Sequence, residues 1–152
     1  MSATAPRDKL LALVGTFAVQ ETLEPSPSMP DGGVAAATSV TRMECAGRFA
    51  ITDYAQLDDG EVVFAGHGVY GYDAQQACYT MYWFDSATSG GFVDVARGSW
   101  QDDTLTFVRD GENGWGRYTY TFVDGGYTFR LERSSDGQEW STLMSSVYTR
   151  VS

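Results

Sequence analysis

The only histidine, His67, sits between two glycines in Gly66-His67-Gly68, inside a run with strand character. Flanking glycines permit close approach of backbone or of a bound molecule. A lone histidine can act as an axial haem ligand in a barrel. Without a pattern of supporting partners it reads as a hydrogen-bonded or exposed strand residue. Two aspartates, in Gly71-Tyr72-Asp73 and in Tyr82-Trp83-Phe84-Asp85-Ser86, each end a strand. Carboxylates at adjacent strand ends could form an acid–base pair. No nucleophile or base stands beside them, so both are expected to cap turn amides, and no catalytic residue is assigned. Arg97 and Arg130 fall within strands. An arginine pointing into a barrel needs a carboxylate partner, which a ligand could supply.

Those side chains must be held by strands, because almost the whole chain alternates. Strands are expected at about 34–44, 48–56, 61–72, 77–85, 91–99, 104–110, 116–123, 126–134 and 140–150, after a first strand from Thr16 to Thr22. Asp58-Asp59-Gly60, Ser89-Gly90-Gly91, Asp124-Gly125-Gly126 and Asp136-Gly137 mark tight reversals between them. Short loops make sequence neighbours into sheet neighbours, which gives a meander of about ten strands closing on itself. Tyr118, Tyr120 and Phe122 share one face, and so do Tyr127, Phe129 and Leu131, with Arg130 on the opposite face. Strand 77–85 is apolar on both faces: Tyr79, Met81 and Trp83 on one, Tyr82 and Phe84 on the other. Its outer face is expected to be covered by an N-terminal helix or by a second subunit, making a homodimer.

The ends of the chain fit this plan. Residues 1–5 are expected to be disordered, followed by a short helix to about Leu13 capped by Asp8, with Pro6 just outside. The run from Leu10 is too short and too interrupted by Gly15-Thr16 to read as a signal peptide. Residues 24–33 hold three of the four prolines and form a loop. Residues 1–152 thus make one domain, all-β apart from that helix.

Composition narrows the function. A net charge of −10 disfavours nucleic acid, and no stretch is apolar enough for a membrane helix. Cys45 and Cys78 lack metal-ligand spacing and read as reduced thiols of a cytoplasmic protein. Sequence fingerprints for acyl hydrolases, phosphate loops, zinc proteases and dinucleotide binding are absent. No metal or cofactor is assigned.

Several segments together resemble the DUF1579 family, uncharacterised proteins placed near the calycins (lipocalins and fatty-acid-binding proteins). They are Leu11–Phe17, Gly47-Arg48-Phe49, Gly71-Tyr72-Asp73, Tyr82–Ser86, Ser134–Trp140 and Tyr148-Thr149-Arg150, spread over nearly the whole chain. The resemblance implies a calycin-like up-and-down antiparallel barrel. Calycins usually carry Gly-x-Trp on the first strand with a cation from the last strand across the ring. Here Phe17 stands for the tryptophan and Arg150 for the cation, which implies a structural latch at one barrel end. The family brings no catalytic residues.

The leading expectation is a barrel that binds a small, largely apolar ligand in its lumen. Tyr70, Tyr72, Tyr79, Trp83 and Arg130 are the expected lining, since tyrosines offer hydroxyls on rigid apolar rings. The alternatives are an isomerase or hydrolase using the same cavity through His67, Asp73 or Asp85, and a filled barrel serving as a structural or interaction protein.

Overall fold

A computed structural model describes residues 5–88, 90, 93–111 and 114–152. Ten strands follow one another: β1 (Gly15–Leu23), β2 (Gly33–Glu44), β3 (Phe49–Asp58), β4 (Glu61–Asp73), β5 (Cys78–Asp85), β6 (Ala96–Gln101), β7 (Thr104–Gly111), β8 (Gly114–Val123), β9 (Gly126–Ser134) and β10 (Ser141–Arg150). Each pairs antiparallel with its sequence neighbour, and β1 also pairs with β10, from Phe17↔Arg150 to Leu23↔Met144. The sheet is a closed up-and-down barrel, with both terminal strands' free edges used up in one seam.

Local chemistry explains the reversals. Asp59 and Gly60 both adopt positive φ, 51° and 81°, between β3 and β4. That conformation matches the twist of a two-residue hairpin, and Asp-Gly tolerates it. Alternation then divides the faces. Phe17, Val19 and Glu21 of β1 are buried, whereas Ala18, Gln20 and Thr22 are exposed. The proline-rich stretch after β1 is a loop, tied by a single bridge between Ser26 and Met29.

Three expectations change. The sixth strand runs over Ala96–Gln101 rather than 91–99, and Gly91 and Phe92, with Ser89 of the expected turn, lie outside the described residues. It meets β5 through only three residue pairs, Tyr79↔Gly98, Thr80↔Arg97 and Met81↔Ala96. Among the described residues, Tyr82–Asp85 of β5 therefore have no partner on β6.

The N-terminal helix is a 3-10 helix over Pro6–Leu13, and Pro6 lies inside its first turn. Asp8 does not cap it. Its own amide donates to the Ala5 carbonyl at 2.9 Å, so Asp8 is already within the helix, and Ala5 is the cap residue. Proline suits that first turn because its missing N–H would have had no intrahelical acceptor.

The helix also does not cover strand β5. It lies across one end of the barrel, where its neighbours come from around the ring. Tyr79 Oη of β5 donates to the Pro6 carbonyl at 2.6 Å. Lys9 Nζ stands 5.6 Å from the Trp100 ring of β6. Leu10 and Leu13 are fully buried there. Tyr82 and Phe84 remain 38% and 42% exposed on the outer wall. Among the described residues no helix is long and apolar enough to cross a membrane.

Candidate functional site: the barrel lumen

One end of the barrel is plugged. Phe17 packs edge-on against Tyr127 and Tyr148, with ring centroids 5.1 and 6.1 Å away. Arg150 Cζ lies 4.8 Å from the Phe17 centroid, and its guanidinium donates to the Val14 carbonyl just after the helix. The last strand thereby reaches across the first and grips the plug. Tyr72 and Tyr79 pack together at the same end, 4.9 Å between centroids.

Above the plug lies a cavity of about 1030 Å³. Tyr54, Phe64, Tyr70, Trp83, Tyr118, Tyr120, Tyr127, Phe129 and Tyr148 line it, with Met81, Leu131 and Met144 between them. Among its polar groups, the Tyr70 and Tyr120 hydroxyls share a hydrogen bond of 2.9 Å. Burial pushes the Tyr70 hydroxyl up to about 12 and raises Tyr120, Tyr127 and Tyr148 well above the usual phenol range. These groups remain neutral donors and acceptors at physiological pH.

The glycines around His67 serve Trp83, not the histidine. A Cβ on Gly66 would overlap the Trp83 ring, and one on Gly68 would come within 3.1 Å of it and 2.9 Å of the Tyr70 ring. The indole therefore lies flat on the β4 backbone and leaves the lumen open. Its Nε1 donates to Asp85 Oδ2 at 2.8 Å. Asp85, Thr88, Asp94, Arg109 and Arg133 also border the cavity. Arg109 Cζ lies 5.9 Å from the Tyr118 ring.

One ionisable group sits deep in the wall. Glu21 is 1% exposed and borders the cavity. Gln56 Nε2 donates to its Oε2 at 3.0 Å, while Oε1 has no partner. Burial raises its carboxyl above the ordinary range, and the Gln56 bond only partly offsets this. No ion pair reaches it among the described residues. Sequence reasoning overlooked Glu21, although a signal existed. It falls two residues after Val19 and four after Phe17, on the apolar face of its own strand.

The expected lining divides by position. Tyr70 and Trp83 border the cavity. Tyr72 and Tyr79 point inward but belong to the plugged end. Arg130 corrects the expectation: its side chain is 52% exposed on the outer wall, 3.4 Å from Glu132. Alternation requires this, since Phe129 and Leu131 on either side of it point inward.

The residues considered for catalysis scatter. His67 Nδ1 lies 2.9 Å from Asp53 Oδ1 in an outer-face chain that continues through Arg42 to Glu44. Asp73 Oδ1 accepts from the amides of Gln75 and Gln76. Asp85 Oδ1 accepts from the Ala87 amide, so it caps a turn while bordering the cavity mouth. Arg97 is exposed, and Cys45 and Cys78 are free thiols.

Another charged pair joins β8 to β9, and its carboxylate, Glu132, also borders the cavity. Arg117 donates two bonds of 2.8 Å to the Glu132 carboxylate and lies 4.3 Å from the Trp140 ring. The guanidinium holds the Glu132 carboxyl below its usual range.

The chain is similar in fold to a solved structure, "Crystal Structure of Rv2717c from M. tuberculosis", with a TM-score of 0.71. The match covers 99% of this chain and 100% of that one at 14% sequence identity, so the likeness is one of fold. No curated protein matches the chain significantly. Residues 2–150 match the family described as "Protein of unknown function (DUF1579)", and with nearly its whole length covered the chain belongs to that family.

Proposed function

We propose that this barrel binds a small, largely apolar molecule in its lumen. The observation that carries the reading is the cavity itself: about 1030 Å³, aromatic-lined and plugged at one end. Ligand sites are typically concave, mostly apolar and furnished with a few placed polar groups. A filled structural barrel would have spent those side chains on closing the space. The outward Tyr82 and Phe84 are the surface through which a homodimer would form. The free thiols of Cys45 and Cys78 support a reducing, cytoplasmic setting.

An enzyme using the same cavity would need a titratable group inside it. His67 and Asp73 stand elsewhere, which leaves Glu21, the bordering carboxylates Asp85, Asp94 and Glu132, and the tyrosine hydroxyls. No nucleophile–base pair is formed among these, and binding is the better-supported use.

The test is native mass spectrometry of the protein isolated from the cells that make it. A reproducible added mass that is lost on denaturation supports the reading. The variant Leu131→Trp, which places an indole in the lumen, is expected to abolish that added mass. A clean apo mass, with no uptake from a panel of apolar probes, would sink the proposal.

A further inference from the structure

Glu21 is chemically out of place among the buried side chains of its wall unless something meets it. Its Oε1 is buried and unpartnered, and it lies in the cavity wall. Ser146, directly opposite it in the β1–β10 register, is also buried with an unpartnered Oγ. Two orphaned polar atoms thus face each other across one seam, and the Glu21 oxygen is an acceptor with no donor. Such an acceptor is costly when nothing meets it.

The surrounding groups restrict what can answer. Across β2 the neighbours of Glu21 are Ala35 and Ala37, across β3 Gln56, and across β10 Ser146 and Tyr148. None is cationic. The cavity's two arginines, Arg109 and Arg133, are on β7 and β9, toward the mouth. A carboxylate head group would meet Glu21 as a like charge. An alcohol brings one donor. An ammonium brings three donors and no acceptor, and its charge favours an ionised Glu21. Tyrosine faces such as Tyr148 add attraction for a cation, and the net charge of −10 attracts cations to the molecule.

We propose that the lumen is selective for an amphipathic amine, with its apolar body among the aromatic rings and its ammonium on Glu21. This rests on the lumen-binding reading above and adds the head group to it. Burial of the carboxyl has the same consequence from the protein's side: it makes the charged form costly when the site is empty, and a cation beside it would offset that cost.

The test is titration calorimetry of the full chain with three probes of equal length: dodecylamine, dodecanol and dodecanoate, each below its micelle concentration. Dodecylamine is expected to bind about tenfold tighter than either other probe, the size of one buried charge-assisted bond. In Glu21→Gln that advantage should disappear, while dodecanol affinity stays within about threefold, since it relies on area burial. Should Glu21→Gln fold poorly, the head-group ranking on the wild-type protein alone decides. Equal affinities, or a preference for dodecanoate at Arg109 and Arg133, would overturn the amine assignment and leave lumen binding standing. Failure of all three probes to bind would overturn both.

Discussion

Replacing Arg150 by methionine should loosen the plugged end of the barrel and nothing else. The change keeps an apolar stem of similar length but removes the guanidinium from the Phe17 ring, 4.8 Å away, and from the Val14 carbonyl. A cation–π contact at an accessible site contributes about 0.5–1 kcal/mol. The hydrogen bond to Val14, also accessible, adds about 1 kcal/mol. The expected loss is therefore about 1–2 kcal/mol, which for a domain of this size lowers Tm by about 2–8 °C. Phe17→Ala offers the contrast: a fully buried ring is removed, at a cost of about 3–5 kcal/mol. Thermal unfolding of both single variants and the double variant forms a cycle. Coupling of about 0.5–1 kcal/mol between positions 17 and 150 is expected. Hydrogen exchange should locate the loosening in Leu10–Val14. An Arg150→Met protein with unchanged Tm and unchanged exchange there would refute the latch.

Two further outcomes follow from the buried carboxyls, with opposite signs. Glu21 has a raised value when folded, so between its unfolded and folded values the native state holds more protons, and stability falls as pH rises through that window. Glu21→Gln should therefore be more stable than wild type at pH 7, with the gap closing in acid; urea midpoints across pH 4 to 7 check this, and a variant less stable at pH 7 contradicts it. Glu132 has a lowered value, so its pairing stabilises above the unfolded value and is lost as pH falls through the folded one. Arg117→Met should cost about 2 kcal/mol at pH 7, below the usual cost of stranding a buried carboxylate because Arg117 is partly exposed and Arg130 still lies 3.4 Å from Glu132, and the cost should shrink as Glu132 is protonated in acid. A gap of the same size in acid would show that the ion pair is not its source.

Much of the architecture is legible in the chain because β-structure writes its rules locally. The Asp59-Gly60 reversal follows from two residues that tolerate positive φ. The inward rows Tyr118-Tyr120-Phe122 and Tyr127-Phe129-Leu131 follow from the period of two, which also sends Arg130 outward, against its assignment to the lining. Glu21 obeys the same period, but its meaning depends on what lies opposite, and Gln56 and Ser146 come from strands far away in sequence. Alternation tells which side of the wall a residue occupies and says nothing of its height along the barrel axis. Tyr70 and Tyr72 both point inward, yet one borders the cavity and the other the plug. That difference is set by strand register and by where the helix comes to rest. Local patterning alone therefore specifies a closed meander with an aromatic interior. Three features lie beyond its reach: the helix stoppers one end, glycines lay Trp83 flat against the wall, and one oxygen of the buried Glu21 carboxyl is left without a partner. Each depends on contacts between distant segments, which no local pattern encodes.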